Sequence, residues 1–174
     1  MKLEIPDELM NEEEKSNTPG RFKRFINEWV NKTKDFKFTV FDIPEYKGMV
    51  IIKNISLASL CAHHILPFTG LAHIGYIPKD GKCCGASKLI RALEMFASKP
   101  QTQEKLTAET KIFLEEKLKP LGVIVIIEAE HQCMRIRGVR NPTSVMVTSE
   151  VTGVFLNPED NKNPKDEFLR LIGK

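Results

Sequence analysis

Cys61-Ala-His-His64 and His131-Gln-Cys133 put two thiols and three imidazoles into two short clusters of a chain that holds four cysteines and four histidines in all. Three such side chains make a sulfur–nitrogen–sulfur set. Sets of this kind hold zinc with one coordination position left for water, whereas structural zinc sites fill all four positions with protein ligands. Cys61 and His64 are spaced so that a turn can bring both to one ion, and His63 must then point elsewhere. Two histidines are left beside the ligands, where proton carriers are needed. The pattern predicts a hydrolytic metalloenzyme. A lone Cys-x-x-His arises readily by chance; the His-x-Cys half makes the pair informative. Cys83-Cys84 is a rival source of thiolate, but adjacent cysteines rarely both reach one metal, and this pair reads as partly buried packing.

Other residues could handle an anionic or purine ligand. His131, Cys133, Arg135 and Arg137 alternate, so a strand over Gln132–Val139 would project them from one face and send Met134 and Ile136 into the core. Gly85-Ala-Ser-Lys88 opens a helix, where free N–H groups and the dipole favour phosphate. Lys88 and Arg91 share a side of that helix. The stretch is too short for a P-loop, and an exposed basic helix face is the plainer alternative. Glu104, in Gln101-Thr-Gln-Glu104, sits at a helix entrance. It either complements the dipole or accepts from the two donors on a guanine edge.

The elements that must position these residues follow from periodicity. Residues 1–17 lack it and are expected to be flexible. Thr18-Pro19 reads as a helix start, and Phe22, Phe25, Ile26, Trp29 and Val30 repeat at helical spacing to about Lys32. Strands are expected over 36–43, 49–60 and 69–77, with a turn at 61–67 and a hairpin-type turn at Pro78–Gly81. Helices follow over 85–98 and 103–117, then strands over 123–130, 132–139 and 145–155, and a C-terminal helix over 164–172. Strands and helices come in blocks, which predicts an α+β fold with a largely antiparallel sheet and helices on one face.

The chain has 174 residues, 41% hydrophobic and 28% charged, enough for one core. No apolar run has the length of a membrane span, and residues 1–15 show no signal-peptide pattern. Cysteines without an export signal point to metal or thiol chemistry in a reducing, cytoplasmic setting. A net charge of +3 is too mild for a nucleic-acid binder and suits cations gathered around a small anion.

Taken together, the motifs resemble the GTP cyclohydrolase I family. They are Thr18-Pro-x-Arg21, Cys61-x-His-His64 with Pro67-Phe68, His73-Ile-Gly-Tyr76-Ile-Pro78, Gly85-x-Ser-Lys-Leu89, Gln101-x-Gln-Glu-x-Leu-Thr107, His131-x-Cys-Met134, Arg137-Gly-Val139 and Thr148-Ser149. They run in family order over residues 18–174, which would form one catalytic domain behind the flexible 1–17 segment. The resemblance implies the tunnelling fold, with subunit sheets joined into a barrel, and a homodecamer of two pentamers. It implies zinc-dependent conversion of GTP to 7,8-dihydroneopterin triphosphate and formate. Cys61, His64 and Cys133 would ligate Zn2+, and His63 and His131 would move protons. Gln103 and Glu104 would hold the guanine. Ser87, Lys88, Arg91 and Arg137 would face the ribose and triphosphate, Ser87 also serving catalysis.

Two positions depart from the family pattern: Ala62, where Glu is usual, and Ala86, where Leu is common. Nitrile oxidoreductases acting on 7-deazaguanine precursors share the architecture but lack this cysteine–histidine set. A zinc-stabilised scaffold ring without turnover is the alternative from another class. The route the pterin enters is not legible.

Overall fold

The computed structural model describes residues 9–30, 36–158 and 163–174. The chain divides into two compact units, 1–32 and 33–174. Most of the described part of the first is one helix, α1 (Glu12–Val30). It starts well before Thr18-Pro19, because Asn11 and Glu14 cap each other. The Glu14 N–H donates to Asn11 Oδ1 and the Asn11 N–H to Glu14 Oε2, both at 2.9 Å. This reciprocal cap satisfies donors that a helix start otherwise leaves open. Residues 12–17, expected to be flexible, are therefore helical, and Pro19 lies inside the helix. The aromatic row is as expected, with Phe22, Phe25 and Trp29 ring centroids 6.1 and 5.8 Å apart. Residues 1–8 and the expected helix end at Lys32 lie outside the described residues.

In the second unit two short strands, β1 (Val40–Asp42) and β4 (Lys82–Cys84), pair with each other. The larger sheet is antiparallel throughout, in the order β2 (Val50–Leu60), β3 (Pro67–Ile77), β5 (Gly122–His131), β6 (Met146–Val151). Only Val40–Asp42, in the C-terminal half of the expected 36–43 strand, is paired. The turn at Pro78–Gly81 does not fold β4 back onto β3. Asp80 and Gly81 both take positive φ, which delivers β4 to β1, and a side chain on Gly81 would run into the Ile43 carbonyl.

Alternation in the strands sorts side chains to two faces. Phe68, Ala72, Ile74 and Tyr76 of β3 and Val123, Val125, Ile127 and Ala129 of β5 face one core. Helices α2 (Ala86–Ala97) and α3 (Gln103–Leu118) close it with Leu89, Leu93, Leu106, Leu114 and Leu118. The expected single helical face covers only these two helices. α5 (Pro164–Ile172) sets Phe168 and Ile172 against Ile124, Ile126 and Phe155 from the other side. Gly75 makes room for it, since a Cβ there would come within 2.8 Å of the Phe168 ring. Covered on both faces, the middle of β5 is apolar at every position. Among the described residues no helix is long and apolar enough to cross a membrane.

The expected strand over Gln132–Val139 is not formed. Phe68↔His131 is the last pair between β3 and β5, so backbone groups beyond it have no ladder partner and must find another. They turn into α4 (Gln132–Arg135), with the Ile136 N–H bonded to Gln132 O at 3.1 Å. His131, Cys133, Arg135 and Arg137 thus share no strand face, and Ile136, expected in the core, is 62% exposed. Likewise, the strand expected to reach Phe155 stops at Val151 and gives way to a 3-10 turn, Gly153–Phe155.

His73, on the α5 side of β3, is only 2% exposed. Its Nδ1 accepts from the Asn54 N–H at 3.4 Å, where β2 bulges and Asn54 takes positive φ. Its Nε2 lies 3.6 Å from Glu128, which also holds Lys174 at 2.8 Å. Burial lowers its pKa from 6.5; Glu128 opposes this and Lys174 and Lys53 add to it. The fold therefore favours neutral His73. The unfolded chain binds the extra proton first as pH falls through about 6.5, so stability present above that pH is lost below it. Denaturant titrations from roughly pH 7.5 to 5 should show this decline, and His73→Gln should flatten it. An equal slope in both proteins would clear His73 of the effect.

Candidate active site

The first cluster sits in the turn between β2 and β3. The Cys61 N–H donates to Leu66 O at 2.8 Å, and the Ile65 N–H returns to Cys61 O at 2.8 Å. Closing so tight a loop puts Ile65 at φ 56°, the left-handed region that a β-branched residue avoids. The turn is also pinned from outside. Cys61 and Gln101 form a parallel bridge, the Ala62 N–H donates to Gln101 O at 2.9 Å, and the Gln101 side chain is held by Glu109 at 2.6 Å. Cys61 is thereby buried at a strand end while Ala62, His63 and His64 stay exposed.

The second cluster arrives on β5 and α4. His131 ends β5 opposite Phe68, and the two rings stack at 4.5 Å, only 5° from parallel. The helical turn that follows brings Cys133 Sγ to 3.9 Å from Cys61 Sγ. One donor atom from each of Cys61, His131 and Cys133 lies within 4.8 Å of the others. Two soft sulfurs and an imidazole suit zinc, with a coordination position to spare. The electrostatics agree. Burial, and then Cys61 beside it, push the Cys133 thiol pKa up, a strain that a bound cation would reverse. Burial also lowers the pKa of His131, which is 7% exposed, while Glu104 pulls it upward.

The other expected residues divide. His63 Nδ1 is 3.7 Å from Cys61 Sγ. His64 is not in the close group: its Nε2 takes a 2.6 Å bond from Arg137. The imidazole that the structure brings to the two sulfurs is that of His131. Ser87, Lys88 and Arg91 occupy the first turns of α2 behind Gly85, with Ser87 and Arg91 exposed and Lys88 Nζ bonded to Lys37 O at 2.8 Å. Glu104 is exposed in the first turn of α3. Gln103, its neighbour, is 0% exposed and bonded within the protein, its Oε1 lying 2.8 Å from His131 Nε2.

Sequence reading missed the buried polar support of His131. A usable signal existed. Gln103, Thr107 and Thr110 fall at helical spacing among Leu106, Leu114 and Leu118 on the buried side of α3. Polar groups on a core-facing stripe must have partners there. The aromatic stack on Phe68 had no such signal, because it depends on strand register.

The GTP cyclohydrolase I family description matches residues 1–173. A GTP cyclohydrolase 1 from Sulfurihydrogenibium is 45% identical over 171 residues, covering 98% of this chain and 89% of that protein. Those from Aquifex aeolicus and Streptococcus mutans are 47% and 41% identical, covering 89% and 98% of this chain and 82% and 88% of theirs. A crystal structure of archaeosine synthase QueF-Like in the apo form superposes with a TM-score of 0.51 at 13% identity, over 63% of this chain and 97% of that one, a likeness of fold alone. With the motifs in order and the two cysteine clusters joined at one end of the sheet, the chain belongs to the GTP cyclohydrolase I family of enzymes.

Proposed function

We propose that this enzyme hydrolyses GTP to 7,8-dihydroneopterin triphosphate and formate with the aid of zinc, in the cytoplasm, on a pathway that builds tetrahydrofolate or another pterin- or deazaguanine-derived product. The observation that carries the reading is the meeting of Cys61, Cys133 and His131 at the end of β5. The ligands proposed are Cys61, His64 and Cys133. When bound, zinc supplies Lewis acidity that brings the pKa of a water down toward about 7.

The chain's own residues do the rest. Buried His131, whose lowered pKa makes its imidazolium a ready proton donor, suits transfer of a proton, once it has taken one up, to the purine N7 as C8 is hydrated, and to and from the sugar carbons during the later rearrangement. His63, exposed beside Cys61, is the second carrier. The Glu104 carboxylate accepts from guanine N1–H and its exocyclic amine. Ser87, Lys88 and Arg91 at the start of α2, with Arg137, anchor the triphosphate, where the helix dipole adds to their charge. The outer strands β2 and β6 present backbone edges of the kind that join sheets between subunits. That supports a barrel-forming homo-oligomer, proposed as a decamer of two pentamers.

The closeness of His131 to both sulfurs favours a second reading, with His131 as the third ligand. Metal analysis of variants separates the two. Cys133→Ser should lose zinc and formate release together, since a hydroxyl replaces a thiolate. His131→Ala should keep zinc while formate release falls by roughly 10²–10⁴-fold, the range for a lost general acid–base; loss of zinc in His131→Ala would make it the ligand. Glu104→Gln turns one acceptor into a donor facing the guanine donors. It should weaken GTP binding by about tenfold or more, as expected for losing a charged hydrogen bond, and leave the weak binding of ATP unchanged. Equal effects on both nucleotides would reduce Glu104 to a helix-start charge.

A further inference from the structure

The carboxamide of Gln103 meets four polar groups. Its Nε2 lies 3.0 Å from Ile127 O, 3.0 Å from Met146 O and 3.1 Å from Thr148 Oγ1, and its Oε1 lies 2.8 Å from His131 Nε2. Backbone carbonyls only accept, so the atom facing Ile127 and Met146 has to be the nitrogen. The orientation of the amide, which density alone rarely decides, is here set by its partners. The hydroxyls close the same circuit. Thr107 donates to Gln103 O at 2.7 Å, which uses its one hydrogen. The 2.7 Å contact between Thr148 and Thr107 is then donated by Thr148, whose oxygen lies beside Gln103 Nε2 and at most shares a hydrogen already given to a carbonyl. Each hydroxyl proton in this network has one consistent place.

An oxygen thus faces His131 Nε2. Oxygen of a carboxamide cannot donate, so Nε2 carries the hydrogen, and in the neutral ring the lone pair is on Nδ1. Stacking on Phe68 fixes the plane of the ring. From this geometry we infer that Gln103 is a positioning residue: clamped by the Ile127 and Met146 carbonyls, it holds His131 as the Nε2–H tautomer, so that Nδ1 is the nitrogen that exchanges protons with the substrate. The inference rests on the proposed role of His131 as a proton carrier. It also explains how that role is compatible with burial. When Nδ1 takes up a proton, Nε2–H stays bonded to Gln103 and no group in the network has to turn. Proton transfer therefore proceeds without breaking the hydrogen bond that aims the ring, a form of preorganisation. Gln103 has no polar atom left over for a purine, unlike exposed Glu104 beside it.

The test is long-range proton–nitrogen NMR of zinc-loaded protein labelled with 15N-histidine, with the His131 signals assigned by their absence in His131→Ala. The wild type should show His131 protonated at Nε2 and bare at Nδ1. Gln103→Met, similar in length but without the amide, should give a mixture of tautomers, and kcat for formate release should fall about tenfold or more, the scale of a misoriented acid–base group, with KM for GTP little changed. Thr148→Val keeps the amide and both carbonyl partners, so it should retain the wild-type tautomer and most of kcat, even if Gln103→Met fails to fold. Three results would overturn the inference: a wild-type His131 protonated at Nδ1, the same single tautomer in Gln103→Met, or a raised KM with unchanged kcat in that variant. The spectra need no turnover. A wild type inactive on GTP but with the expected tautomers would therefore sink the functional reading and leave the positioning role standing.

Discussion

Everything in the site depends on one register. β3 is antiparallel to both of its neighbours, and it pairs Leu60 with Pro67 on one side and Phe68 with His131 on the other. Both ladders therefore run out at the same edge of the sheet. Only there can the turn after β2 and the helical turn after β5 meet, and only there can Cys61 and Cys133 approach to 3.9 Å. A slip of one residue in the β3–β5 ladder would point His131 to the other face. Gly70 helps pin the β3–β5 register, since any side chain there would strike the Glu128 carbonyl and Ala129.

Below this edge the protein solves a conflict between packing and chemistry. α3 must fill the core against β5, yet it also has to support a polar ring. It does both by alternating leucines with Gln103, Thr107 and Thr110 and by giving each polar group a partner. Fully satisfied, such a network confers rigidity; a partial one would be a liability in so dry a place. The exposed residues His63, Glu104 and Arg137 need no comparable support because water solvates them. Precise geometry is concentrated where burial makes it both possible and necessary.

How much of this was legible beforehand differs from element to element. The central strands, α2, α3 and α5 came through because their apolar periods are strong and tertiary contacts reinforce them. The 132–139 segment alternates polar and apolar residues as a strand does, yet pairing ends at His131 because the β3 partner ends there, a fact about β3 and not about the segment's own residues. α1 begins before Thr18-Pro19 because its start is set by the Asn11–Glu14 cap and not by the proline. The clusters of cysteine and histidine stood out by residue type. Which imidazole approaches the sulfurs did not, since Arg137 and His64 lie 73 positions apart and their 2.6 Å bond leaves no trace in local pattern. Ala62 was conspicuous against the family pattern, and its exposed place, with its N–H held by Gln101, shows a backbone position that a longer side chain can occupy without disturbing the turn.

Ile65 adds a dynamic consequence. A left-handed conformation costs an L-residue about 1–2 kcal/mol, and here it falls on a branched side chain in the turn that carries Cys61, His63 and His64. That strain is released whenever the turn opens, whereas the paired residues of β3 and β5 gain nothing by opening. Local unfolding should then begin at this turn, and the Cys61 and Ile65 amides should exchange with solvent deuterium through smaller openings than the amides in the middle of β3. The stretch that presents the reactive groups thus stores backbone strain that opening would release.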